Sequence, residues 1–217
     1  LDASGNHLWA KTVAGNHMEV IDTMTTDASG DLYMAGNFQK DLTVDGTSYT
    51  TGSSSSSWKK LWVAKISSGG TWAWAWTTSG VAAEQFALDM ALDSAGNIYV
   101  VGKFQGKMDF GSTSIYFNTG QDIFLLKLDP KGKFLWAVQF HGQYGNDQGT
   151  SVAVDSSDNV YIAGTFRGPM IMGSTTLSGL TTNCSPPAVC YSIFLAKLDK
   201  KDGSAIWAKE IGAGYPT

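Results

Sequence analysis

Short apolar runs separated by turn residues make up most of this chain, and no stretch repeats at helical spacing. The runs 98–101 (Ile-Tyr-Val-Val) and 193–196 (Ile-Phe-Leu-Ala) are apolar at every position. A half-exposed strand would alternate polar and apolar residues, so sheets built from these runs must be covered on both faces. Face-to-face packing of small sheets around an axis satisfies that requirement.

The pattern recurs. Residues 23–38, 89–104 and 151–166 align without gaps, and each carries an Asp (Asp27, Asp93, Asp155), a Tyr and a closing Phe. The spacings of that Asp are 66 and 62. A second unit occurs four times, around Trp9, Trp74, Trp136 and Trp207, and alternates with the first. Each unit reads as a hairpin. Asp-x-x-Gly-Asn is turn chemistry, because Asp caps its own turn while Gly or Asn tolerates positive φ. Two hairpins per period of about 65 residues predict four antiparallel strands per repeat, over approximately 13–76, 77–138 and 139–211.

The expected fold is therefore all-β, with propeller blades of four antiparallel strands. There are three full repeats plus one extra outer strand around Trp9. Three blades are too few to close a ring. With no initiating Met, the chain reads as a fragment of a larger propeller, with a shared ring of several chains as the alternative. The fourfold Trp is expected to pack between blades, with Asp27, Asp93 and Asp155 as turn residues.

These residues resemble the SBBP family of bacterial β-propeller repeats. The resemblance rests on Asp93 to Phe104, on Asp109-Phe-Gly111, and on the run Phe194 to Asp199 followed by Ile206-Trp-Ala208. The departures are Asp158 in place of the turn Gly and Met172 in place of a Phe. The resemblance implies a secreted or surface-displayed protein with a binding or structural role, and it supplies no catalytic residue. The Trp unit also resembles the blades of quinoprotein propellers, but an adjacent Cys pair and an acidic calcium cluster have no counterpart.

Composition narrows the partners. A net charge of −4 argues against nucleic acid, which is bound through clustered Lys and Arg. No apolar run approaches the roughly 20 residues of a spanning helix. Cys184 and Cys190 flank a Pro-containing loop and are expected to form a small disulfide, which implies an oxidising compartment. The alternative is a metal or redox pair.

Candidate chemistry is sparse. His7, His17 and His141 have no nucleophile elbow to serve, so no catalytic residue, cofactor or metal is assigned. The Asp-rich turns lack the ligand spacing of an EF-hand. Repeat-to-repeat variation concentrates before the third strand of each blade, in a loop that holds Ser-rich 53–57 with Trp58, Lys59 and Lys60 in the first repeat and the Cys pair in the third. Trp58, Lys59 and Lys60 are the candidate ligand residues. Three functions follow: an extracellular scaffold or adhesion module binding protein or glycan, a structural subunit of a surface filament or multi-chain assembly, and a quinoprotein-like or hydrolytic enzyme.

Overall fold

The computed structural model describes residues 4–52, 58–80, 84–179 and 191–213. Among these the regular structure is strand, with no helix. In the first repeat, β1 (Glu19–Thr26) and β2 (Leu32–Gln39) form a hairpin, and β3 (Asp41–Val44) and β4 (Thr47–Thr50) form a smaller one. β5 (Lys59–Ile66) and β6 (Trp72–Thr77) complete a four-stranded antiparallel sheet in the order β1-β2-β5-β6. The second sheet joins β7 (Glu84–Leu92), β8 (Ile98–Asp109), β9 (Ser114–Leu128) and β10 (Phe134–Phe140) in sequence order. The third has β11 (Gln148–Val154), β12 (Val160–Phe166), β15 (Ser192–Leu198) and β16 (Ala205–Ala213), with β13 (Met170–Met172) and β14 (Thr175–Leu177) as a side hairpin.

The turns follow from local hydrogen bonding. Asp27 Oδ1 accepts the amides of Ser29 and Asp31 at 2.9 and 3.0 Å. Asp93 and Asp155 do the same in their own turns. Gly30 and Gly96 take the left-handed position at φ +78° and +77°. Asp158 occupies it in the third repeat at φ +61°, strained for a side-chain-bearing residue. Its carboxylate is held there by Ser94 of the preceding sheet, through the amide at 2.8 Å and the hydroxyl at 2.9 Å, and by Lys200 at 3.3 Å.

The first and second sheets each bury one face against the following sheet. The trailing face of the first sheet (Tyr33, Ala35, Leu61, Val63) packs on Met90, Ile98, Val100 and Phe104 of the second. The trailing face of the second (Tyr99, Val101, Ile123, Leu125) packs on Val152, Val160, Ile162 and Phe166 of the third. All eight trailing positions are at most 1% exposed. This double coverage explains the apolar run 98–101, whereas in the run 193–196 of the third sheet Ile193 is 45% exposed.

Two features differ from the sequence expectation. Residues 5–13 form no strand; the one ladder contact nearby is a bridge from Ala14 to Thr43. The expected extra outer strand is thus not formed, although Trp9 docks against Gly70. The segment between second and third strands also carries structure of its own. It is the β3–β4 hairpin, the β8–β9 extension pairing Gly106–Asp109 with 114–117, or the β13–β14 hairpin. Cys184, Cys190 and the Ser run 53–57 lie outside the described residues.

Candidate functional site

In each sheet the same four residue types meet. Tyr33, Lys65 and Trp74 lie directly opposite one another across β2, β5 and β6. Tyr99, Lys127 and Trp136 repeat this in the second sheet, and Tyr161, Lys197 and Trp207 in the third. The Tyr hydroxyl donates to the turn Asp at 3.2 Å in all three, to Asp27, Asp93 and Asp155. The Lys ammonium lies over the Tyr ring at 4.7, 4.7 and 5.7 Å. The Trp ring meets the same Tyr at centroid distances of 6.4, 6.0 and 6.2 Å.

The indole then reaches across the seam. Trp74 lies against Gly132 in the turn of the next sheet and donates Nε1–H to Pro130 O at 3.1 Å. Trp9 lies against Gly70 and donates to Ser68 O at 3.1 Å. Trp136 lies against Gly203. A Cβ on any of these glycines would stand 2.7 Å from the indole, and their φ values of +82°, +79° and +77° suit glycine alone. Trp136 Nε1 is buried without an acceptor. The equivalent carbonyl, Lys200 O, accepts instead from Lys127 Nζ at 2.9 Å. The turn 199–203 is one residue longer than 129–132, which shifts that carbonyl away from the indole.

The electrostatics of the cluster follow from burial and pairing. Burial lifts the Tyr99 hydroxyl well above its ordinary pKa, and neighbouring Asp93 adds to it. Burial opposes the charge on Lys65, yet the Tyr33 and Asp31 partners, the latter at 2.9 Å, keep its pKa high. The Asn159 side-chain bond holds Asp155 down at about 2. Clefts of about 520 and 560 Å³ open above the first and second seams beside these turns, lined by Asp27, Lys65 and Asp93 in one and Lys127, Trp136 and Asp158 in the other. The turn carboxylates are thus engaged by amides, hydroxyls and ammonium groups. Among the described residues no three His, Cys, Asp or Glu side chains converge as metal ligands. His17 pairs with Asp41 at 3.6 Å, and His7 and His141 lie on other segments, exposed.

The three candidate ligand residues separate. Trp58 is 42% exposed. Lys59 and Lys60 stand in β5 rather than in a loop, because the β2–β5 ladder extends to Gln39↔Lys59. Lys60 is buried and donates to Thr50 O at 3.1 Å and Gly80 O at 3.0 Å, tying down the connection to the second sheet. Lys59 lies with its ammonium 4.4 Å from the Phe86 ring centroid. Sequence reasoning missed the Tyr and Lys of the seam cluster, although both recur at fixed positions in every repeat. It also missed Asp122, which takes the Lys60 position in the second sheet. Asp122 is fully buried with neither carboxylate oxygen bonded, and burial together with neighbouring Asp147 pushes it up to about 8.

Residues 135–165 match SBBP, the beta-propeller repeat. The matched stretch runs through β10, the connection and the β11–β12 hairpin, so it spans the seam around which the Trp contacts are organised. The chain is also 37% identical, over 101 residues, to an uncharacterized WD repeat-containing protein, L264, of Acanthamoeba polyphaga mimivirus. That alignment covers 43% of this chain and 7% of the mimivirus protein. Both similarities suggest a propeller-type repeat, in agreement with the four-stranded antiparallel sheets. Among the described residues no helix is long and apolar enough to cross a membrane.

Proposed function

We propose that this chain is a non-enzymatic module of an extracellular or cell-surface propeller, binding a protein or glycan through the segments between second and third strands. One observation carries the reading. The first turn of each repeat keeps one Asp-capped hydrogen-bonding pattern beside the Asp–Tyr–Lys–Trp cluster, whereas the segment between second and third strands differs in every repeat. A rigid frame with one variable segment per unit suits recognition. Trp58, exposed beside such a segment, supplies an aromatic surface of the kind enriched at binding hot spots. A glycan array and a pull-down with the intact chain test this; specific capture that weakens on Trp58→Ala supports it. Turnover of a substrate by the chain would overturn it.

A second reading, that the chain is part of a larger ring or of a multi-chain assembly, is favoured by the trailing face of the third sheet. Ile193 there is 45% exposed, whereas its equivalents Leu61 and Ile123 are fully covered by the following sheet. Trp207 likewise has no glycine turn across from it among the described residues. A further sheet of the same repeat, presenting such a turn, fits this face by continuity with the two seams already formed.

A further inference from the structure

Building on the reading of the chain as a ligand-binding scaffold, we infer that Lys59, Phe86 and Lys103 form an anchoring site for an oxyanion-bearing ligand at the first seam. Lys59 comes from β5 of the first sheet, and Phe86 and Lys103 from β7 and β8 of the second. Their ammonium groups lie 4.4 and 5.4 Å from the centroid of one ring, that of Phe86. Neither lysine forms an ion pair or hydrogen bond among the described residues; the pairs there belong to His17, Lys65, Lys107, Lys127 and Lys200. All three residues are partly buried.

The repeat shows that the architecture does not require this cluster. By register, Lys59 corresponds to Gln121 and Tyr191, Lys103 to Asn37 and Thr165, and Phe86 to Val20 and Gln148. The seam between second and third sheets forms with neutral residues at those places. Positions shared by all repeats hold the sheets together, whereas this constellation occurs at one seam alone.

Two ammonium groups and two carboxylates share this region. Burial lowers the Lys103 pKa, Glu84 raises it by more than nearby Lys59 lowers it, and the two partly buried cations still oppose one another. Glu84 on β7 and Asp22 on β1 face the cluster and act on Lys103 and Lys59 from beyond ion-pair distance. Asn37, whose amide donates to Asp22 at 2.7 Å, leaves Oδ1 buried without a partner beside that carboxylate. A sulfate or carboxylate group offsets the repulsion of two partly desolvated ammonium groups more strongly than water does. The shared chemistry is an oxyanion, either free or carried as an ester or acid on a saccharide.

The test titrates inorganic sulfate and, separately, a sulfated disaccharide into the intact chain at low ionic strength, following Phe86 ring and lysine Nζ resonances. Saturable shifts are expected. Lys59→Gln with Lys103→Thr, residues the other sheets already carry at these positions, should weaken binding about tenfold with folding retained. Glu84→Gln should tighten it roughly two- to fivefold by removing a competing carboxylate. Tighter binding of the disaccharide assigns the site to a glycan, and equal binding assigns it to a free anion. Absence of saturation, or saturation unaffected by the lysine substitutions, overturns the site. Sulfate binding alongside a blank glycan array would remove the glycan reading and leave the site standing.

Discussion

Glycine under an indole is the smallest unit on which the seams depend. Trp74 and Trp136 each lie against a left-handed glycine of the following sheet, so Trp136→Ala is expected to cost about 3–5 kcal/mol in denaturant unfolding. Trp58→Ala, at an exposed position, should stay within about 0.5 kcal/mol. The reverse order would mean that the seams are held elsewhere. Trp74→Phe loses area and also a hydrogen bond to Pro130, whereas Trp136→Phe loses area alone. Trp74→Phe should therefore be the costlier by about 1 kcal/mol. Asp122 is the other residue with a sharp consequence. Its folded pKa of about 8 lies above the roughly 3.9 of an unfolded Asp, so between these values the folded state keeps a proton that the unfolded state releases. Stability should be greatest below about pH 4 on this account and fall as pH rises towards 8, by at most about 1.4 kcal/mol per pH unit. Thermal melts of the parent and of Asp122→Asn across that window check it; the variant should show a shallower decline.

The turns and hairpins link residue chemistry to sheet packing. Asp158 keeps a left-handed conformation that costs about 1–2 kcal/mol for a non-glycine residue. It stays because its carboxylate takes two hydrogen bonds from Ser94, through the amide and the hydroxyl. Asp158→Gly relieves the strain yet removes the tie between the turns of neighbouring sheets. The expected net effect is a loss of stability at neutral pH, read as a lower urea midpoint with an unchanged m-value. A gain in stability would show that the tie contributes less than the strain.

At the level of the whole molecule, stability is a sum over seams, since each sheet contacts mainly its sequence neighbours. Breaking the middle of such an array loosens both sides, so seam substitutions should broaden the unfolding transition as well as shift it. The proposed multi-chain assembly would use the outer face of the third sheet, where Ile193 is 45% exposed. Ile193→Asp places a charge on that face without touching the two seams, so it should abolish concentration-dependent self-association in sedimentation velocity while leaving the melting temperature nearly unchanged. Association that survives the substitution would rule out this face as the contact.

Local chemistry made much of this legible in the sequence. An Asp that caps its own turn, a glycine that permits positive φ and a run apolar on both faces act within a few residues, so turns, strands and four-stranded repeats could be read directly. The fourfold Trp could be read as a seam residue because repetition exposed it. The tertiary structure alone decided which side chains meet across 20 or more residues of chain. Lys60 and Asp122 share one register position, yet one is tied to Gly80 O and the other faces Asp147. Lys59 and Lys103 meet over Phe86 because sheets from successive repeats pack together, and no local period marks that encounter.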